Sequence, residues 1–138
     1  MTREQILLVQ HSWRQVLPIA HTVAEMFYAK LFALDPSLQA LFTNDMREQR
    51  RKLMAIVGSV VSELSRLERI LPAVQDLGRR HSGYGVQNAH YETVGVALLW
   101  ALEQSLGDAF APQVRAAWES AYGMLARTMQ EAAMRVPA

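Results

Sequence analysis

The sequence predicts an all-α protein of about seven helices around one small core. Apolar residues recur at helical spacing along nearly the whole chain. Prolines and glycines interrupt this pattern where helices would end, and no segment alternates apolar and polar residues as a β-strand does. The 138 residues are the size of one domain. We therefore expect a single domain over residues 1–138, with residues 135–138 as a frayed tail.

The first three predicted helices are bounded by prolines. The first apolar stripe consists of Ile6, Val9, Trp13 and Val16, and the second consists of Val23, Phe27 and Leu31. Pro18 interrupts the first stripe, and Asp35 with Pro36 ends the second. Because proline suits the first position of a helix, a short third helix is expected from Pro36 to Leu41.

Of the remaining four helices, three begin at a capping residue or a proline, and the sixth begins after Gly83 and Gly85. Asn44 or Asp45 can cap the fourth helix, Pro72 opens the fifth, and Pro112 opens the last. The sixth ends at Gly107. Their stripes are, in order, Leu53, Ile56, Val57, Val60, Leu64 and Leu67; Val74, Leu77 and His81; Val94, Leu98, Leu102 and Leu106; and Val114, Trp118, Ala121, Leu125 and Met129.

The composition excludes several classes of protein. Apolar residues make up 51% of the chain and charged residues 20%, a globular balance rather than a disordered or membrane one. The early apolar run at residues 6–9 is too short for a signal sequence or a membrane span, so we expect a cytoplasmic protein with no membrane partner. A net charge of +1 gives no broad attraction to nucleic acid. The absence of cysteine excludes disulfides, iron–sulfur clusters and thiolate zinc sites.

One histidine has an unusual setting. The chain has no glycine-rich phosphate loop, GxSxG elbow or HExxH zinc helix, and its four histidines are not spaced as a metal cluster. Val74, Leu77 and His81, however, share one helix face, and two glycines then stop the helix. His81 is either a core histidine bonded to a backbone carbonyl or the single nitrogen ligand of a haem iron, which needs only one proximal imidazole.

Three further side chains are ambiguous when taken alone. Gln49 continues the apolar face of the fourth helix, and it is either a solvated first-turn residue or a polar group at the open end of that face. Lys52 lies about 60° to one side, at the rim. Tyr28 lies on a mostly buried stripe, where its hydroxyl needs a partner. Phe42 can equally be a packing residue.

Together these residues resemble a known family. From Tyr28 to Tyr122 the chain is similar to the globins, and specifically to bacterial single-domain haemoglobins akin to the globin half of flavohaemoglobins. The matching residues are, in order, Phe27, Tyr28, Leu31 and Phe32; Pro36, Leu41 and Phe42; Gln49, Lys52 and Leu53; His81, Gly85 and Val86; His90, Tyr91, Val94 and Gly95; and Ala117, Trp118, Ala121, Tyr122 and Gly123. The combination is specific, although no member of it is.

The resemblance implies a globin fold around one pocket that holds haem b (iron protoporphyrin IX). It makes His81 the proximal iron ligand and Phe42 the ring that packs on the haem face. Tyr28 and Gln49 become the distal pair beside the gas-binding side of the iron. The other residues that it implies are Lys52 and Arg80 at the propionates and Leu53, Val57, Leu77, Val86, Tyr91, Val94 and Leu98 around the pocket.

Two departures from the flavohaemoglobin pattern affect the expected chemistry. In that pattern a tyrosine, matched by Tyr91, and a glutamate of the last helix polarise the proximal histidine. The glutamate position falls on Ala133, whereas Glu131 lies about 200° round the helix. We therefore expect a less anionic imidazole with less push toward splitting an O–O bond. The chain length also leaves no room for a flavin and nicotinamide reductase domain, so turnover would require a separate reductase.

These expectations predict reversible O₂ binding at a five-coordinate ferrous iron, with CO and NO as further gaseous ligands. Oxygen binding or delivery and NO dioxygenation, which converts NO to nitrate, stay open as alternatives, and the lost glutamate favours the former. The alternative from another class is a haem-free helical interaction or regulatory module that uses the basic run at residues 47–52. A solvated helix face is the favoured explanation of that run, because Glu48 interrupts it and no aromatic stacking pair accompanies it. The sequence predicts no oligomeric state.

Overall fold

Helix boundaries follow the prolines and capping residues of the sequence. The computed structural model describes residues 1–42 and 45–134. Its six α-helices are α1 (Arg3–Val16), α2 (Ala20–Leu34), α3 (Met46–Ser62), α4 (Leu71–Gly83), α5 (Asn88–Leu106) and α6 (Pro112–Met134). Four short 3₁₀ helices lie between them, at Leu17–Ile19, Pro36–Leu41, Leu64–Arg69 and Gly107–Ala109. The seven predicted helices correspond to the six α-helices and Pro36–Leu41, and the described ranges contain no strand, so the all-α prediction is confirmed.

Polar side chains cap the helices that begin after irregular segments. The Thr2 hydroxyl oxygen accepts a hydrogen bond from the Gln5 backbone N–H at 3.1 Å, and the Gln5 side-chain oxygen accepts one from the Thr2 backbone N–H. The two bonds form a capping box on α1. Asp45 accepts from the Arg47 N–H at 3.0 Å at the start of α3. Asp45 is thus the cap of this helix. The other predicted cap, Asn44, lies outside the described residues, as does the expected tail at 135–138.

The predicted C-terminal end of the fourth helix, which corresponds to α3, is wrong. The stripe predicted one helix through Leu64 and Leu67, but α3 ends at Ser62 and a 3₁₀ helix follows. Arg66 has a non-helical backbone (φ −141°, ψ 53°). This break turns Leu64 inward, where it is 3% exposed. Tertiary burial outweighs local helix propensity here.

The core forms where the helices pack in pairs. Helix α1 packs against α6, α2 against α5, and α4 against α6. The buried Trp118 indole donates a hydrogen bond to the Ser12 hydroxyl at 2.8 Å and so joins α1 to α6. No helix within the described ranges is long and apolar enough to cross a membrane.

A glycine permits the close contact of α4 with α6. A Cβ atom added at the buried Gly78 would overlap the Met129 carbonyl oxygen and lie 2.6 Å from the Met129 Cα. The two backbones therefore approach closely at this point only because residue 78 has no side chain. His81 lies three residues further along α4, so this contact sets the position of its imidazole relative to α6.

Replacement of Gly78 by alanine should destabilise the fold. The added methyl group meets rigid backbone, and overpacking of this kind costs about 1–3 kcal/mol. Urea denaturation followed by circular dichroism measures the loss. Gly83→Ala is the matched control in the same helix, because nothing lies within 4 Å of a Cβ atom there. Equal stability of the two variants would contradict the assigned contact.

Candidate functional site

One large cavity lies among α2, α3, α4, α5 and α6, and we call it the main cavity. Its empty volume, including its open mouth, is about 1100 Å³. Eleven of the thirteen predicted site residues line it: Tyr28, Phe42, Gln49, Leu53, Val57, Leu77, His81, Val86, Tyr91, Val94 and Leu98. The fold thus brings together residues that are far apart in the sequence around one largely apolar space.

His81 presents a free ring nitrogen. Its Nδ1 lies 2.8 Å from the Leu77 carbonyl oxygen, one helical turn earlier. Because a carbonyl only accepts hydrogen bonds, Nδ1 carries the proton and Nε2 keeps its lone pair. Burial lowers the pKa of His81, the neighbouring Arg80 guanidinium lowers it further, and the bond to Leu77 opposes both. The ring is therefore a neutral imidazole near pH 7, which is the form that binds a metal.

The backbone turns sharply after His81. The Val86 N–H donates to the His81 carbonyl at 3.0 Å, and the Tyr84 N–H donates to the Arg80 carbonyl at 3.0 Å. Gly85 has φ +92°, a conformation that favours glycine. This turn ends α4 directly after the histidine and returns the chain to the main cavity at Val86.

A tyrosine and a glutamine form a hydrogen-bonded pair in the wall of the same cavity. The Gln49 amide Nε2 donates to the Tyr28 hydroxyl oxygen at 3.2 Å. Burial raises the pKa of Tyr28, while the bond from Gln49 and the charge of Arg50 oppose the rise. The phenol thus stays protonated near pH 7. Since its oxygen already accepts from Gln49, the hydroxyl hydrogen is available to another acceptor.

Aromatic rings hold Tyr28 in place. Its ring centroid lies 4.9 Å from that of Phe27, 5.9 Å from that of Phe32 and 5.5 Å from that of Phe42. Phe32 and Phe42 also contact each other edge to face at 5.5 Å. Edge-to-face pairs of this kind favour one ring orientation. The hydroxyl of Tyr28 is therefore positioned by three phenylalanines as well as by Gln49.

Two further tyrosines, Tyr91 and Tyr122, are in contact where α5 meets α6. The Tyr122 hydroxyl donates to the Tyr91 carbonyl oxygen at 2.5 Å, and burial raises the pKa of Tyr122. Gly95 makes room for the Tyr122 ring, since a Cβ atom at Gly95 would lie 2.8 Å from its Cε2 atom. Both tyrosines line the main cavity, whereas the exposed Glu131 does not. No carboxylate within the described part of the chain lines this cavity.

Two predicted site residues lie outside the main cavity. Lys52 and Arg80 are exposed and do not line it. The Arg80 Nε atom lies 3.2 Å from an Asp76 carboxylate oxygen, one turn earlier in α4. Their role at the propionates stays a prediction.

Ten further residues line the main cavity that the sequence did not predict as site residues. They are Phe27, Leu31, Leu38, Leu41, Ile56, His90, Tyr122, Leu125, Ala126 and Met129. His90 is the most informative, because its Nδ1 accepts from the Gln87 backbone N–H at 3.0 Å in a capping box at the start of α5. Because this pair differs from the Ser/Thr-x-x-Glu/Gln capping pattern, no sequence signal placed this histidine in the cavity.

Comparisons with known proteins give one consistent result. The sequence model of the globin family matches residues 25–129. The chain is 32% identical over 108 residues to a flavohemoprotein of Bacillus subtilis, an alignment that covers 76% of this chain and 27% of that protein. It is 29% identical over 113 residues to a flavohemoprotein of Xylella fastidiosa, with 80% and 28% covered. The chain thus spans less than a third of the length of these two relatives, and the resemblance to their globin part is confirmed.

Solved structures share the architecture. A hexacoordinated haem protein from an anhydrobiotic tardigrade superimposes with a TM-score of 0.87 at 17% identity, covering 98% of this chain and 96% of that one. A bacterial globin from Campylobacter jejuni superimposes with a TM-score of 0.85 at 24% identity, covering 97% of each chain. At these identities the likeness shows the fold alone, and the predicted globin fold is confirmed.

Proposed function

This chain belongs to the globin family, and we propose that it holds a haem in the main cavity and binds O₂ reversibly there. The observation that carries the proposal is the hydrogen bond from Gln49 to Tyr28 in the wall of a cavity that His81 also lines. The imidazole of His81 and the hydroxyl group of Tyr28 therefore line the same, largely apolar cavity.

The residues present fit a haem. The cavity is large, its walls are mostly aliphatic, and among the described residues no hydrogen bond engages the His81 Nε2 atom. His81 would hold the iron through Nε2, and Phe42, Leu53 and Val94 would contact the macrocycle. When bound, the haem would supply an iron atom that takes a diatomic gas such as O₂, CO or NO.

The side chains favour a five-coordinate ferrous state. The second histidine of the cavity, His90, accepts a hydrogen bond at Nδ1 and therefore carries its proton on Nε2. A protonated nitrogen has no lone pair for a metal. Tyr28 and Gln49 bond to each other, which would leave the gas-binding side of the iron to the gas.

The polar pair would discriminate among gases. The Tyr28 hydroxyl, whose oxygen Gln49 holds in position, would donate to a gas atom that carries partial negative charge. The rings of Phe27, Phe32 and Phe42 around Tyr28 would keep water away, which strengthens such a hydrogen bond. O₂, whose bound form is polar, gains more from this donor than CO does.

Haemin titration of the purified chain tests the proposal. We expect a strong Soret band and, after reduction, a spectrum that changes reversibly as O₂ is added and removed. A colourless protein that refuses haemin would instead support the haem-free interaction module. The basic run of α3 gives that module little support, because Arg51 pairs with Glu48 within the same helix at 3.1 Å.

NO dioxygenation is the second candidate. An apolar cavity lets O₂ and NO meet away from water, and one nitrate would leave for each O₂ and NO consumed. The ferrous state would then need one electron from a separate reductase. The proximal side favours plain binding, since His81 bonds to the Leu77 carbonyl rather than to a carboxylate.

Stopped-flow mixing separates the two candidates. The oxygenated ferrous protein is mixed with NO in the presence of a flavin reductase and NADH, and the amount of nitrate formed per protein molecule is measured. Many nitrates per protein would identify a dioxygenase. A single turnover that stops at the ferric state would identify an O₂-binding protein.

Restoring the absent carboxylate should strengthen the iron–histidine bond. Ala133 is half-buried and lies one turn beyond Met129, which lines the main cavity. A carboxylate from Ala133→Glu would make the imidazole more anionic through Tyr91. We expect the iron–histidine stretch in the resonance Raman spectrum of the ferrous protein to rise. Glu131→Ala, at an exposed position, should leave it unchanged, and an unchanged stretch in Ala133→Glu would contradict this register of α6.

A further inference from the structure

The Nε atom of Arg50 is buried, and it has no hydrogen-bond partner among the described residues. The residue as a whole is half-buried. Met46 and Met54 lie one turn before and one turn after it on the same face of α3, and both pack against the core. The inner part of the guanidinium group is therefore withdrawn from water in largely apolar surroundings, as is common for the stems of long basic side chains.

No carboxylate neutralises the charge of Arg50. The described ranges contain every Asp and Glu of the chain, and none of their ion pairs involves Arg50. The carboxylate of Glu48 bonds to Arg51, and residues two apart on a helix do not face each other. A partly buried charge without a counter-ion costs free energy, so an anion that approaches Arg50 is stabilised.

The charge of Arg50 reaches the distal pair. Arg50 directly follows Gln49, whose amide donates to the Tyr28 hydroxyl oxygen at 3.2 Å. Burial raises the pKa of Tyr28, and the charge of Arg50, together with the bond from Gln49, opposes that rise. Arg50 does not line the main cavity, so it acts there through its electric field. Salt screens the field of a partly buried charge less than that of an exposed one.

We propose that Arg50 makes the main cavity favour small anions, such as azide and nitrite, over neutral ligands when the haem iron is ferric. This inference rests on the proposed haem binding. A ferric iron carries one positive charge more than a ferrous iron and attracts anions, and the charge of Arg50 adds to that attraction. The same charge makes the phenol of Tyr28 more acidic and thus a stronger hydrogen-bond donor to an anion. Arg50 therefore acts on the ligand without touching it.

Ligand titrations of the haem-loaded ferric protein test the proposal. Arg50→Met removes the charge and keeps an apolar stem, and it should weaken the binding of azide and nitrite severalfold. NO, a small neutral ligand, should bind the ferric iron with nearly its original affinity. Arg50→Lys keeps the charge and should retain most of the affinity for azide. Arg51→Met, at the neighbouring exposed position that pairs with Glu48, is the matched control and should leave all three affinities unchanged.

NMR of the haem-free chain tests the electrostatic effect without the iron. With ¹³C at the Cζ atoms of the tyrosines, the signal of Tyr28 reports the ionisation of its phenol, and its absence in Tyr28→Phe identifies it. The pKa of Tyr28 should be higher in Arg50→Met than in the unaltered chain, because the loss of a nearby positive charge disfavours the phenolate. Arg51→Met should leave this pKa unchanged.

The outcomes are distinguishable. Unchanged azide affinity in Arg50→Met would overturn the proposal, and equal losses of azide and NO affinity would overturn it too, because they would indicate a change of shape rather than of charge. Arg50→Gln gives the same comparison if Arg50→Met folds poorly. A chain that takes up no haemin would overturn the proposed function, and with it the anion preference, while the Tyr28 titration would still decide whether the charge of Arg50 reaches the distal pair.

Discussion

His81→Ala should lose tight haem retention. The variant removes a neutral imidazole that lines the main cavity and whose Nε2 keeps its lone pair, and no other described side chain there offers an equivalent free nitrogen. A bond to the iron that contributes about 3 kcal/mol raises the affinity for haem roughly a hundredfold. Transfer of haem to an excess of a competing apoglobin, followed at the Soret band, measures the loss.

Two controls isolate the role of the ligand. His11→Ala and His21→Ala change exposed histidines of α1 and α2, where His21 pairs with Glu25 on the surface, and both should keep normal spectra. Added imidazole should restore a Soret band to His81→Ala, because the space left by the ring accepts it. An unaltered Soret band with full haem stoichiometry in His81→Ala would disprove the assignment.

Tyr28→Phe should release O₂ roughly ten- to a hundredfold faster, since a hydrogen bond to a charged acceptor contributes about 1.5–3 kcal/mol and about 1.4 kcal/mol is one decade. The ring keeps its contacts with Phe27 and Phe42, so the shape of the cavity changes little. CO is less polar when bound and should dissociate at nearly the original rate. Stopped-flow displacement measures both rates.

A variant of Gln49, the hydrogen-bond partner of Tyr28, gives the matched comparison. Gln49→Leu should show the same asymmetry between O₂ and CO, because it removes the donor that holds the Tyr28 oxygen. The double variant should be non-additive if the two side chains act as one unit. Equal changes in the O₂ and CO dissociation rates would mean that Tyr28 is only a packing residue.

The local rules of helix formation predicted most of the fold. Pro36, Pro72 and Pro112 each begin a helix where the sequence indicates, because the constraint that proline places on the backbone is local. The break at Glu63 and Arg66 contains neither glycine nor proline. It depends on the burial of Leu64, a tertiary effect that periodicity does not report.

Helical periodicity identified buried faces, and the resemblance to the globins assigned the site residues among them. The stripes placed Leu53, Leu77 and Leu98 inside the protein, and the cavity receives them. Periodicity cannot separate a side chain that faces a cavity from one that faces another helix, which is why Met129 was seen as a core residue only. The resemblance, rather than periodicity, assigned Arg80 to the propionates; its Nε atom lies 3.2 Å from an Asp76 carboxylate oxygen, and its role there stays a prediction.

The hydrogen bond between Trp118 and Ser12 has a consequence for how the chain is made. It joins residues 106 positions apart. Helices α3 and α5 also contact α1, but during synthesis the part of its apolar face that packs against α6 stays uncovered until α6 has left the ribosome. Domains that expose such surface while incomplete are prone to aggregation. A ribosome stalled before residue 112 should therefore display α1 as an accessible site for chaperones, and release of α6 should end that exposure.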